Sequence, residues 1–95
     1  MDKYETVFIA ISEISKEDIG SLIGRIENII DKYGKIVDID KMGKRQLAYE
    51  LHGYRDGYYV DIKFEGNNQC VADLENFYRM NNQILKFITL RGIEN

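Results

Sequence analysis

Residues 58–65 read Tyr58-Tyr59-Val60-Asp61-Ile62-Lys63-Phe64-Glu65. Tyr58, Val60, Ile62 and Phe64 alternate with Tyr59, Asp61, Lys63 and Glu65. A period of two, apolar on one side, is the pattern of a half-buried β-strand. Just before it, Gly53-Tyr54-Arg55-Asp56-Gly57 has the composition of a hairpin loop ending in Asp-Gly. Before that loop, residues 35–52 read as one long strand interrupted at Gly43. Ile36, Val37 and Ile39 precede the glycine, and Leu47, Tyr49 and Leu51 alternate after it. A glycine inside a strand marks a bulge or bend.

Working outward, each flank of this hairpin holds a helix and then a strand. On the N-terminal side, Ile19, Leu22, Ile23, Ile26, Ile29, Ile30 and Tyr33 recur at steps of three and four, one helical stripe. Ser15, with Asp18 three residues on, resembles a capping box at its start, and Gly34 is placed to end it in a left-handed conformation. Residues 4–11 form a β-branched and apolar run, with Val7, Ile9 and Ile11 on one face and Thr6, Phe8 and Ala10 on the other. Apolar residues on both faces predict a central strand. On the C-terminal side, Asn67 or Asn68 caps a helix whose stripe is Val71, Leu74, Phe77 and Tyr78. Asn81-Asn82 breaks it, and Ile84 to Arg91 is the last strand.

The order βαββαβ predicts an α+β, ferredoxin-like split-βαβ fold: a four-stranded antiparallel sheet with two helices on one face. Right-handed crossovers place the first and third strands centrally and leave the opposite sheet face open to a partner. The 95 residues are read as one domain, residues 1–95, with its core over about 3–92. No linker, low-complexity run or internal repeat is visible. No stretch approaches the roughly 18 apolar residues of a membrane span, and the N-terminus has no secretory-signal pattern. The single cysteine, Cys70, cannot form an internal disulfide, which fits a reducing, cytoplasmic setting.

The residues argue against catalysis. One histidine, His52, and one cysteine are too few for a zinc site, so no metal or cofactor is expected. Gly43-Lys44 lacks the earlier glycine of a phosphate loop, because position 38 is Asp38. Ser12, Ser15 and Ser21 have no nucleophile-elbow context, and Glu13, Glu17, Asp18 and Glu27 read as solvated helix-surface carboxylates. His52 reads as a surface residue near a strand end, and Cys70 as a small residue at the core edge.

The basic residues are more informative. Lys41, Lys44 and Arg45 crowd around Gly43, where they would project together from a sheet rim, although lysines on an edge strand also discourage aggregation. Arg79 ends the second helix, where it also complements the helix dipole; Lys86 and Arg91 lie on the last strand, and Lys3 and Tyr4 open the first. Together they make a basic, partly aromatic set suited to phosphate and sugar contacts and to stacking of unpaired bases. The formal net charge of −3 opposes a nucleic-acid partner unless positive charge is clustered or a basic protein assists. Asp56 to Ile62 is only a faint likeness of an RNP motif: Tyr59 fills its small position, Val60 and Ile62 its aromatic ones, and Tyr58 shares the core face.

Gly43-Lys44-Arg45-Gln46-Leu47-Ala48-Tyr49 resembles the signature of bacterial small-subunit ribosomal protein six: Gly, any residue, basic, polar, Leu, Ala, Tyr. Lys3-Tyr4-Glu5 resembles that family's start, and Tyr78 to Phe87 its passage from second helix to last strand. The likeness spans about residues 3–92. It departs at Glu50, where many relatives carry proline, and at Leu51-His52, in place of a typical Ile-Lys. The resemblance implies a ferredoxin-like fold and a structural role on the cytoplasmic small ribosomal subunit. It also implies binding to the central domain of small-subunit rRNA together with ribosomal protein eighteen, a basic partner that answers the charge objection. Lys3, Tyr4, Lys44, Arg45, Arg79, Lys86 and Arg91 match family positions that are commonly basic or aromatic; with Lys41 they form the expected RNA-facing set.

Two other functions use this element order. An ACT-like regulatory domain binds a small molecule near a glycine-containing loop, and Ser12-Glu13-Ile14 supplies no such glycine. An acylphosphatase-like enzyme needs an arginine in a phosphate-cradling loop, and the loop after the first strand has none.

Overall fold

Six elements follow in the expected order in the computed structural model, which describes residues 2–92. They are β1 (Asp2–Ile11), α1 (Lys16–Asp31), β2 (Lys35–Leu51), β3 (Tyr54–Gly66), α2 (Asn68–Arg79) and β4 (Ile84–Arg91). The sheet is antiparallel with order β2-β3-β1-β4, so β1 and β3 are central and β2 and β4 are edges. This is the ferredoxin-like arrangement.

Alternation decides which side of the sheet is covered. Tyr4, Phe8 and Ala10 of β1 stand opposite Phe64, Val60 and Tyr58 of β3. Residues directly opposed across an antiparallel pair share a face. On this face they meet Ile19, Leu22, Ile23, Ile26 and Ile30 of α1 and Cys70, Leu74 and Tyr78 of α2, which together form the core. Thr6 is the one buried polar residue in that face among the described residues. Its Oγ1 lies 2.9 Å from the Tyr78 hydroxyl and 2.9 Å from Thr89 Oγ1, so three hydroxyls satisfy one another. No described element covers the other face.

The caps follow from the sequence. Ser15 Oγ accepts the Asp18 N–H at 3.0 Å, and Asn67 Oδ1 accepts the Cys70 N–H at 2.9 Å. Cys70 is fully buried rather than at the core edge, because it lies against Gly66 where β3 ends.

Three local expectations are corrected. Gly34 does not take a left-handed conformation. The helix closes instead through Lys32 in the right-handed region, with the Gly34 N–H donating 2.9 Å to the Ile30 carbonyl. The β2–β3 turn is not the 53–57 segment but the two residues His52 (φ 49°) and Gly53 (φ 85°). Two successive positive φ angles suit the right-handed twist of a hairpin. His52 is thus a turn residue in a conformation unusual for a side-chain-bearing residue. Gly57 lies inside β3 for a packing reason: a Cβ there would press into Ile9 Cγ2 and stand 3.4 Å from Leu47 Cδ2. Finally, the alternation after Gly43 breaks. The β2–β3 register shifts between Gln46 and Leu51, so Leu47 is buried while Tyr49 is 70% exposed.

Candidate nucleic-acid interface

The bend at Gly43 is real. Gly43 has φ 81°, and the β2–β3 register shifts between Lys41 and Gly43. The bulge fans out the basic residues around it. Lys41 and Lys44 stand opposite Val60 and Tyr58, on the helix-bearing side, while Arg45 stands opposite Gly57, on the open side. All three are exposed on the β2 rim.

The remaining basic residues gather along the opposite rim, β4. Lys86 stands opposite Ile9 on the open side. Lys3 is on the same side, opposite Glu65, and its carbonyl accepts the Gly92 N–H beside the end of β4. Arg91, opposite Tyr4, ion-pairs with Asp2 at 2.8 Å. Arg79 at the end of α2 lies 3.6 Å from Glu75, with its guanidinium 5.7 Å from the Phe87 ring centroid. The expected set is therefore two rims separated by the width of the sheet rather than one patch.

Tyr4 leaves the set. It is 6% exposed, stacks on Phe64 with ring centroids 5.4 Å apart, and donates to Asn68 Oδ1 at 3.3 Å. Its place in the Tyr4–Thr6–Phe8–Ala10 alternation turns the ring into the core, so it has no face to offer a base.

Between the rims, the open face carries cross-strand rows of charge. One row is Lys35–Glu65–Lys3 and the next is Asp38–Lys63–Glu5, each alternating in sign. The row after that is Asp40–Asp61–Val7–Ile88, with two adjacent carboxylates and no cation. Asp61 Oδ1 is buried and has no hydrogen-bond partner. Burial, a proton-sharing contact with Glu5 and the charges of Glu5 and Asp40 push the Asp61 carboxyl up to about 6, with Lys63 opposing. No local pattern reveals this cluster, because Asp40, Asp61 and the nearby Glu5 lie on three different strands. Along β4, Ile88 and Leu90 are 52% and 56% exposed on the same face, beside Val7. Among the described residues, no three His, Cys, Asp or Glu side chains are grouped to hold a metal ion, and no helix is long and apolar enough to cross a membrane.

Comparison with known proteins places this geometry. A family model described as Ribosomal protein S6 matches residues 3–91. The small ribosomal subunit protein bS6 of Koribacter versatilis is 37% identical over 89 residues, covering 93% of this chain and 60% of that protein. The bS6 protein of Thermoanaerobacter pseudethanolicus is 35% identical over 95 residues, covering 99% of this chain and 100% of that protein. The chain thus spans less than two thirds of the length of some relatives and the full length of others. A crystal structure of 30S ribosomal protein S6 from Thermotoga maritima superposes with a TM-score of 0.88 at 34% identity, covering 96% of this chain and 87% of that one.

Proposed function

We propose that this chain, which belongs to the ribosomal protein S6 family, is a structural constituent of the small ribosomal subunit in the cytoplasm, binding the central domain of small-subunit rRNA together with ribosomal protein eighteen. The family is one of structural proteins, and the chain is not an enzyme.

The observation that carries the RNA reading is the β2 rim. A glycine at φ 81° opens a bulge from which Lys41, Lys44 and Arg45 spread on both sides of an exposed edge strand. Three cations at one bend can follow a phosphate backbone, which fixes position and carries little sequence information. Lys3, Lys86 and Arg91 supply the second rim, and Arg79 borders it. The acid of the rest of the chain makes a basic partner protein necessary for tight binding, because phosphate neutralisation drives association.

The test is a titration of a central-domain rRNA fragment at several salt concentrations, with and without ribosomal protein eighteen. Tight binding with the partner present, and much weaker binding without it, is expected. Arg45→Ala should lower the salt slope by about one unit or less if its guanidinium meets a phosphate. A folded protein that binds the RNA under neither condition refutes the reading.

A further inference from the structure

The β2–β3 ribbon outgrows the sheet that carries it. β1 ends at Ile11, opposite Gly57, so residues 46–56 pair with no third strand. Their own ladder is broken as well. It holds the rungs Gln46–Asp56 and Leu51–Tyr54, and residues 47–50 stand against Arg55 without one. A two-stranded hairpin is marginal in water on its own. One side-chain bond ties this overhang to the body. The Tyr54 hydroxyl donates to Glu13 Oε1 at 2.6 Å, across 41 positions of sequence. Among the described residues it is the only side-chain hydrogen bond or ion pair that residues 46–56 make. Glu13 is itself anchored. It lies in the loop after β1, where the Ile14 N–H donates to the Ile11 carbonyl at 3.1 Å and the Ile11 N–H to the Gln83 carbonyl at 2.9 Å. The carboxylate acceptor pushes the Tyr54 phenol above its ordinary value, so the hydroxyl keeps its proton and stays the donor.

Arg55 is exposed on this overhang. Two residues before Gly57 on β3, it faces the same side of the sheet as Arg45, which stands opposite Gly57. Diagonal neighbours across an antiparallel pair lie about 7–8 Å apart, within reach of long side chains. Neither guanidinium makes an ion pair among the described residues, and Asp56 alternates to the opposite side. Two adjacent unpaired guanidiniums repel each other and fit a phosphate, whose oxygens match their planar donors.

We propose that Arg55 completes a phosphate-binding pair with Arg45, and that Tyr54 and Glu13 are positioning residues whose hydrogen bond holds the overhanging ribbon at the angle that sets this pair against the rRNA backbone. The inference rests on the ribosomal reading for the identity of the nucleic acid. It adds Arg55, which lies outside the basic set read from the sequence, and gives the ribbon a fixed rather than a swinging reach.

The experiment titrates a central-domain rRNA fragment with the full chain and its variants, with ribosomal protein eighteen present and at several salt concentrations. Each variant is first melted to show that it folds. Arg55→Ala should weaken binding by about three- to tenfold at low salt and lower the salt slope by about one unit or less. Tyr54→Phe should weaken it by about two- to threefold, and in that background removing Arg55 should cost less than it does in the wild type. Backbone amides of residues 47–56 in free Tyr54→Phe should exchange faster, while those of the four-stranded sheet do not. Glu13→Gln and Glu13→Ala remove the same charge, but only the glutamine oxygen can still accept the Tyr54 proton, so Glu13→Gln should bind the RNA more tightly than Glu13→Ala. Equal binding by these two, tighter than wild type, would make Glu13 a repulsive charge only and overturn the latch. An Arg55→Ala chain with unchanged affinity and slope overturns the pair while the ribosomal reading stands. Weaker binding of Arg55→Ala to protein eighteen alone, with the RNA step unchanged, would assign the ribbon to the protein partner and also overturn it. A wild-type chain that binds the RNA neither with nor without that protein sinks both readings together.

Discussion

Replacing Asp61 by Asn should stabilise the free protein, and only above the pH at which the carboxyl ionises. The carboxyl is raised from an ordinary 3.8 to about 6, chiefly by burial and then by its contact with Glu5. The unfolded chain therefore releases this proton at lower pH than the folded one. Between roughly pH 4 and 6 the folded state holds more protons, so this group favours folding below that window and loses its contribution as pH rises through it. A shift of about two units corresponds to at most about 3 kcal/mol. Asp61 is only part-buried, and solvent screening brings the usable figure to about 1 kcal/mol. For a domain of this size that is a difference of about 4–8 °C in melting temperature. The asparagine amide imitates the protonated acid and does not titrate. Thermal melts followed by circular dichroism should therefore nearly coincide at about pH 4 and separate by several degrees at about pH 7.5, with the variant higher. Taking the difference between the two proteins cancels the other carboxylates, including Asp73, which Tyr33 and Gln69 hydrogen-bond and so hold below the usual range. An offset independent of pH, or a variant less stable at neutral pH, would refute the reasoning.

Other outcomes follow from the core. Thr6→Val leaves the buried Tyr78 hydroxyl without its Thr6 partner and should cost about 1–3 kcal/mol in urea unfolding; a loss below about half a kcal/mol would show that the hydroxyl relay is dispensable. Cys70 is fully buried, and burial with the nearby Asp73 charge pushes its thiol up to about 11. Ellman's reagent should therefore label the protein only as fast as it opens, and immediate labelling of the native chain would contradict the placement. Gly57→Ala should cost about 1–3 kcal/mol, because its methyl would press into Ile9 Cγ2; an unchanged melt would mean the Ile9 side chain can move aside freely.

Much of this fold could be read from the chain because its signals are local. Alternation marks the strand over residues 58–65, spacing of three and four marks the helices, and Ser15 and Asn67 mark the two N-caps. What failed depended on contacts between distant segments. Asp56-Gly57 has the look of a hairpin turn, yet the glycine answers to Ile9 of the neighbouring strand β1, far earlier in the chain. Tyr4 was misjudged for a different reason. The alternation that placed Thr6, Phe8 and Ala10 on one face, carried two residues back, already turns Tyr4 inward, but its basic neighbour suggested an exposed role. The basic residues were found by type, whereas their division between two rims required the strand order. Asp61 reads in the sequence as an ordinary solvated residue of a half-buried strand. Only the register that sets it between Asp40 and Val7, near Glu5, shows the missing counter-charge.

The pairing pattern has a consequence for how the chain reaches this state. The β2–β3 ribbon closes around two residues, so its first rung joins Leu51 to Tyr54 and later rungs zip outward. The β1–β4 seam instead joins opposite extremes of the sequence, as in the Arg91–Asp2 pair, 89 positions apart. Closing so large a loop loses chain entropy before any contact compensates for it. The ribbon can therefore form early and the seam late, and the seam's amides, with β4 at its rim, should be the first to exchange with heavy water when the native protein breathes. A collapsed chain still waiting for β4 would leave Phe8, Thr6 and Tyr78 partly uncovered. The slowest step of folding would then be the arrival of the last eight-residue strand at a sheet already built to receive it.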